Sequence, residues 1–331
     1  MSSGRIMPRK YRCLLIGLGQ IGMGYDFKLD PTEFILSHAQ AFYNHIDFEL
    51  VGAVDRDSSR LQSFRSKFDR PAYAEISEAL QYQSPDIVII ATPSDSHGSV
   101  LDEVFKHIIP KVIVCEKPID NSLDVAKRMV KICEDNNVLL FVNYIRRSDP
   151  GVIKVKEMLE SEVIRAPLKA FVWYSKGLIN NGSHMFNLLE YWLGRLVAVK
   201  MISDNRIWDY SDPEPDFKVE FEKGSAIFCA SWEEHFSHYG IELLSSSGRL
   251  AYDRGGNSIT WQERTSLGVN KSGQLLSDVT ETIPNNLNRY QSVFADNLAL
   301  ALKGKNHHLC TGEEALQTLT NIFKIIDEDC I

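Results

Sequence analysis

The chain has 331 residues, 44% of them hydrophobic and 24% charged, with 36 basic against 44 acidic side chains and a net charge of −8. Those fractions exclude general disorder, collagen and coiled coil. The acidic balance argues against nucleic acid or an anionic membrane as the main partner, because a phosphate-rich surface wants a basic face. The length is ample for a sizeable core and long for a single one, so two domains are expected.

The basic start, MSSGRIMPRKYR, leads into no apolar segment of signal-peptide length. No apolar run approaches the roughly 20 residues of a membrane span. Short apolar strands are expected at 12–16, 49–54, 86–91, 112–115 and 138–142. Helical patterns fall between them at 37–45, 58–68, 76–83, 97–106 and 123–136. In the last of these, Leu123, Ala126, Met129, Val130 and Cys133 recur at helical spacing, and Asn121 or Ser122 could cap its start. Strands alternating with helices imply a parallel sheet covered on both faces.

After residue 150 the pattern changes. A helix at 151–161 precedes strand-like runs at 168–174, 198–206, 217–222, 225–232, 240–244 and 249–253, with one helix at 184–193 stopped by Gly194. Strands that follow one another without helices suggest a mainly antiparallel sheet. The polar stretch 263–278 reads as a mobile loop. The tail is helical at 290–303 and from Thr311 or Gly312 to Asp327. The expected fold class is therefore α/β: residues 1–145 around a parallel sheet, and 146–331 around a mostly antiparallel one. Six scattered cysteines lack any C-x-x-C spacing, which favours a reduced, cytoplasmic thiol set over disulfides or a zinc site, and no metal is expected.

The strongest local signal is Gly17-Leu18-Gly19-Gln20-Ile21-Gly22, directly after the first strand. A dinucleotide-binding turn needs one glycine for the tight turn, one for approach of the pyrophosphate, and one for close packing of helix on strand. Asp55 ends the second strand, where a carboxylate accepts hydrogen bonds from the adenosine ribose and repels a 2′-phosphate. That favours NAD, while Arg56 leaves NADP open. Asp55 lies 38 residues after Gly17 instead of about 20, and the polar, aromatic stretch 24–36 accounts for the surplus. Two further loops end strands at the same sheet edge: Thr92-Pro93 with His97, and Glu116-Lys117-Pro118, whose prolyl isomer stays open. In the second half, Asn180, His184 and Asn187 fall at spacings of four and three, which on a helix brings them near one face. His184 by itself reads as a capping or packed histidine as readily as a base, though its ordinary titration range suits proton transfer.

Together these segments resemble the Gfo/Idh/MocA oxidoreductase family (glucose–fructose oxidoreductase, inositol dehydrogenase and relatives). Asn143-Tyr144-Ile145-Arg146-Arg147 with Pro150, Gly177 to Gly194, Ser247-Gly248-Arg249-Leu250 and Thr311-Gly312-Glu313-Glu314-Ala315 also fit, so the resemblance covers nearly the whole chain. It implies a Rossmann domain over residues 1–145, an α+β domain with a large, mainly antiparallel open sheet over 146–331, and hydride transfer between a nicotinamide and a ring carbon of a sugar, cyclitol or nucleotide-linked sugar. It implies that 17–22, Asp55, Arg56, Thr92, Pro93, His97, Glu116, Lys117 and Pro118 hold the cofactor. Lys117, Tyr144, Arg147, Lys176, Asn180 and His184 would face the substrate, with Lys117 and His184 catalytic. It implies a homodimer or homotetramer formed through the second sheet, with the final helices packing near the first domain. Many relatives carry aspartate where this chain has Asn180 and Asn187. The Asn-x-Gly-x-His pattern resembles the branch acting on nucleotide-linked sugars, and an anionic sugar nucleotide would need Lys117, Arg146, Arg147 or Lys176 as local cations. Two other readings share the scaffold: an NAD-dependent glycosidase or lyase, and a non-catalytic dinucleotide-binding regulator.

Overall fold

The computed structural model describes residues 9–209, 212–231, 233–266 and 274–327. The basic start up to residue 8, Trp232, residues 267–273 of the expected loop and Cys330 lie outside the described residues. Two compact units emerge, one running to Asn143 and regaining the chain over Asn288–Gly312, the other comprising Tyr144–Leu287 and the chain from Glu313 onward. The expected single cut at 145 therefore omits a second crossing: residues 288–312 belong to the first unit.

The first unit holds strands β1 (Tyr11–Ile16), β2 (Phe48–Val54), β3 (Ala72–Tyr73), β4 (Ile87–Ile90), β5 (Val112–Cys115), β6 (Leu139–Val142) and β16 (Cys310–Thr311). They form one seven-stranded sheet in the order β16-β6-β5-β4-β1-β2-β3, parallel except for β16. The strand order turns outward on both sides of β1 and β4, which places a crevice at the carboxyl ends of those two strands. Helices α1 (His38–Asn44), α2 (Ser58–Phe68), α3 (Ile76–Tyr82), α4 (His97–His107), α5 (Leu123–Asp135) and α8 (Tyr290–Leu302) complete the unit. Every side chain of β4 and β5 is wholly buried. Each such aliphatic residue contributes about 1.5–3 kcal/mol, which is why these strands are continuous apolar runs without alternation. On α5, Ser122 Oγ accepts from Val125 N as the cap, and the stripe Ala126, Met129, Val130 and Cys133 is buried, as its spacing predicts.

The second unit holds α6 (Pro150–Glu160), β7 (Leu168–Tyr174), α7 (Ser183–Leu193), β8 (Leu196–Trp208), β9 (Asp212–Phe221), β10 (Gly224–Ala230), β11 (Gly240–Leu244), β12 (Gly248–Asp253), β13 (Ser258–Ser266), β14 (Gln274–Leu276), β15 (Glu281–Thr282) and most of α9 (Gly312–Asp327). Its nine-stranded sheet runs β14-β13-β12-β11-β7-β10-β9-β8 with β15 on β13, and is antiparallel but for the β7–β10 pair. One face packs on α6, α7 and α9 through Val172, Tyr174, Trp192, Phe217, Phe228 and Ile322. The expected mobile loop at 263–278 is corrected in part: 264–266 and 274–276 pair as β13 and β14. They escaped the sequence reading because an edge hairpin buries little, so its polar residues leave no period-two signal. Strand β9 also starts five residues earlier than the apolar run at 217 suggests, because Asp212-Pro213-Glu214-Pro215 reads as a turn.

Among the described residues no helix is long and apolar enough to cross a membrane. No group of His, Cys, Asp and Glu among them could hold a metal ion, and the five described cysteines are free thiols.

Candidate active site

The three glycines of the first turn have three separate environments. Gly17 takes φ +101°, and a Cβ there would lie 2.5 Å from Ala91 O, so the turn needs glycine both for its conformation and for its approach to β4. A Cβ on Gly22 would lie 2.1 Å from Gly17 O, so this glycine lets the chain fold back onto the turn. Gly19 has an ordinary φ of −68° and open space where its Cβ would stand. That space belongs to a groove of about 610 Å³ bounded by Gly17, Gly19, Gln20 and Ile21, by Asp55, Arg56 and Arg60, and by Thr92, Pro93 and Ser96. A backbone left bare toward a groove at the carboxyl ends of parallel strands fits a dinucleotide pyrophosphate. The glycine turn runs into a single π-type turn, Gln20–Gly24, and the first α-helix, α1, begins at His38, within the helical pattern expected at 37–45.

Asp55 stands at the groove edge with part of its capacity already used. Its Oδ2 accepts from Leu18 N at 2.6 Å and its Oδ1 from Asp57 N at 2.8 Å, which ties the second strand to the glycine turn. A carboxylate offers about four lone-pair sites, so room for ribose hydroxyls remains. Arg60 Nη1 lies 3.6 Å from Asp55 Oδ2. Thr92 and Pro93 line the groove as expected.

Two residues expected to hold the cofactor are bonded within the protein. His97 is wholly buried, with Nε2 2.9 Å from Thr92 O and Nδ1 3.1 Å from Ile119 O, so its ring braces the loops after β4 and β5 instead of lining the groove. Glu116 is buried too, with Oε1 2.7 Å from His38 Nε2 and accepting from Asn143 Nδ2 at 2.6 Å. Burial raises its carboxyl, but the hydrogen bonds of His38 and Asn143 and the charge of Lys117 outweigh that and hold it below its ordinary value. Lys117 follows half-buried, and its bond to Pro118 is cis. His38 was missed by sequence reasoning because the 24–36 segment separates it from the glycine turn. That segment is itself built: Asp26, 1% exposed, accepts from Leu36 N, Ser37 N and Ser37 Oγ at 2.5–2.9 Å and closes it into a loop.

The second unit presents the His184 segment. Residues Gly177–Gly182 form a π-type turn that runs into α7, so Asn180 sits on the turn and not on the helix face expected to carry it with His184 and Asn187. Tyr144 stands edge-on to the His184 imidazole, with ring centroids 5.6 Å apart. Asn187 is buried and donates to Thr318 Oγ1 at 2.9 Å. Arg147, expected at the substrate, is 6% exposed, pairs with Glu314 at 2.7 Å and lies over the Tyr191 ring. Lys176 is half-buried and pairs with Glu233 at 2.9 Å.

Three acids of this unit lay outside the sequence reading. Asp212 Oδ1 accepts from Ile179 N and its Oδ2 from Asn180 N, both at 2.8 Å, and Glu214 Oε1 accepts from Gly177 N at 3.0 Å. Burial, with the Glu214 charge behind it, pushes the Asp212 carboxyl up to about 6 against the pull of those backbone donors. Glu190 on α7 accepts from Thr318 Oγ1 and from Asn321 Nδ2, and burial pushes its carboxyl up to about 7.

Residues 11–144 match the sequence model of an oxidoreductase family with an NAD-binding Rossmann fold. The chain is 28% identical over 134 residues to the inositol 2-dehydrogenase of Rubrobacter xylanophilus, a match covering 40% of this chain and 38% of that protein. It therefore spans less than half the length of that relative. With the inositol 2-dehydrogenase of Rhizobium meliloti it is 25% identical over 261 residues, covering 72% of this chain and 74% of that one. The fold is shared with the WlbA dehydrogenase of Bordetella pertussis, solved with NADH and UDP-GlcNAcA, at a TM-score of 0.74 and 20% identity over 98% of this chain and 97% of that one.

Proposed function

We propose that this chain is an NAD-binding oxidoreductase of the Gfo/Idh/MocA type, and that it moves a hydride between nicotinamide and a ring carbon of a sugar, a cyclitol or a nucleotide-linked sugar. The observation that carries the reading is the groove over Gly19, with bare backbone on its floor and Asp55 at its edge. Its glycines, Asp55, Thr92 and Pro93 hold the dinucleotide, and Asp55 makes NAD the favoured form. When bound, NAD supplies the hydride chemistry. Lys117 orients the reacting hydroxyl with its ammonium. His184 takes the hydroxyl proton, its ring steadied by Tyr144. Asn180, Lys176 and Arg147 contact the rest of the substrate, the last two held by Glu233 and Glu314.

The Asn-x-Gly-x-His pattern and the fold shared with a UDP-GlcNAcA-bound dehydrogenase support a nucleotide-linked sugar within this class. A homodimer or homotetramer through the second sheet completes the reading: Phe171, Trp173, Ile227 and Leu244 share its outer face, and Trp173 and Leu244 are exposed. The free thiols support a reducing, cytoplasmic setting.

The test is a product assay with NAD and a panel of cyclitols, sugars and nucleotide sugars. Reduced nicotinamide is the expected product. Sugar released without net reduction would replace the dehydrogenase with a hydrolase or lyase, and NAD binding without turnover on any substrate would leave a regulator.

A further inference from the structure

The turn that leads to His184 gives three of its backbone donors to a strand more than 30 residues away. Its backbone donors from Gly177, Ile179 and Asn180 point at two carboxylates of β9, at 3.0, 2.8 and 2.8 Å. Both acids are buried, Glu214 at 3% exposure and Asp212 at 9%. Glu214 is fixed from its other side, where Arg206 Nε lies 3.1 Å from Oε2 and the same guanidinium reaches Glu234 at 2.7 Å.

Gly177 is what lets the acid in. It takes φ +77°, and a Cβ there would lie 2.0 Å from Asp212 Oδ2. No side chain could stand at 177 without displacing the carboxylate. The pairing also has a physical reason. The first backbone N–H groups of a helical run have no partner within it, and they carry its positive end. Gly177–Gly182 continues directly into α7, so the carboxylates meet the start of a run that includes His184. An ionised acceptor makes such bonds roughly twice as strong as a neutral one.

We infer that Asp212 and Glu214 are positioning residues for the proposed reaction: they clamp the backbone of 177–180 and thereby set the place of Asn180 and His184. The inference rests on the reading of His184 as the proton acceptor. It explains why two acids remain in a poorly solvated place where Asp212 ionises against burial. An acid kept only for stability has no reason to sit there, since burying it costs more than an apolar or amide residue would. One buried for geometry does.

The experiment uses the full chain and three variants: Asp212→Asn, Asp212→Ala and Gly177→Ala. Asparagine fills the same volume but keeps one acceptor oxygen instead of two. The clamp predicts a fall in turnover of about tenfold for Asp212→Asn and about a hundredfold for the other two, the scale of a displaced reacting group. The KM for NAD should not move. At neutral pH the thermal midpoint of Asp212→Asn should equal or exceed that of the wild type, because the substitution removes a charge that burial opposes. Amide exchange provides a readout independent of turnover: Ile179 and Asn180 should exchange at least about tenfold faster in Asp212→Asn, with Val172 unchanged. Unchanged exchange at 179 and 180 overturns the clamp. Faster exchange with wild-type turnover overturns its positioning role, and so does a loss of turnover matched by a lowered midpoint and a raised KM for NAD. A wild type silent on every substrate counts against the dehydrogenase reading alone, and the exchange result still decides whether the acids hold the turn.

Discussion

The two units build their functional turns by opposite means. The glycine turn at 17–22 is defined by what is absent: one Cβ would strike Ala91, one would strike Gly17, and one would fill the groove. The His184 turn is defined by what is added, two carboxylates that arrive from β9 to accept its backbone donors. A turn made by omission is local and steric, whereas a turn made by clamping is long-range and electrostatic. The first should fail sharply when a side chain is added and tolerate changes elsewhere. The second should fail by degrees as acceptors are removed.

The comparison can be broken most severely at Gly19. Its φ is ordinary and nothing stands near its Cβ position, so Gly19→Val should fold with a stability change within about 0.5 kcal/mol, as for an unencumbered surface site. It should nevertheless weaken NAD binding by more than about a hundredfold, some 2.7 kcal/mol. Calorimetric titration alongside a thermal melt checks both halves. Gly22→Ala is the contrast, expected to lose stability and binding together. Comparable in size, His184→Ala should lower turnover by about 10²–10⁴-fold, the range for a lost general base, with NAD binding unchanged by the same titration. Asp55→Asn should have a smaller effect. It removes the charge that disfavours a 2′-phosphate while Arg56 and Arg60 stay at the groove edge, so the ratio of NADP to NAD use should rise about tenfold, or 1.4 kcal/mol.

The smallest effect concerns Glu190. Its folded carboxyl is raised to about 7 from an ordinary 4.5, chiefly by burial. The native state therefore holds this proton more tightly than the unfolded chain does. The stability this group lends is full below about pH 4.5 and is lost as pH rises through about 7. Glu190→Gln should raise the thermal midpoint at pH 8 by a few degrees, equivalent to about 1–2 kcal/mol, and leave it unchanged at pH 4. Melts at both values measure the difference, and an equal shift at both would assign the effect to packing.

What could be read from the sequence follows the same division. The Rossmann strands were legible because buried parallel strands are unbroken apolar runs, as in Ile87–Ile90 and Val112–Cys115. The glycine turn was legible because its constraints lie within six residues. His97, Glu116 and Arg147 were placed at ligands by resemblance, and the structure bonds them to Thr92 and Ile119, to His38 and Asn143, and to Glu314. Polar residues at conspicuous positions cannot reveal from sequence which buried partner claims them. Asp212 and Glu214 were hidden twice over, by sequence distance and by the flanking Pro213 and Pro215, which disguise the start of a strand as a turn. The pairing of β8 with β9 is irregular over that stretch, which is where a sheet tolerates proline.

The most direct measurement uses NAD and a substrate deuterated at its ring carbons, with wild type, Gly19→Val and His184→Ala compared side by side. Deuterium should appear on the reduced nicotinamide with wild type. Its rate of appearance should fall at least about a hundredfold in Gly19→Val, because the dinucleotide binds more weakly, and at least about a hundredfold in His184→Ala, although the dinucleotide binds as before. Deuterium transfer by His184→Ala at the wild-type rate, or substrate cleavage by the wild type with none transferred to accumulated product, would contradict the account.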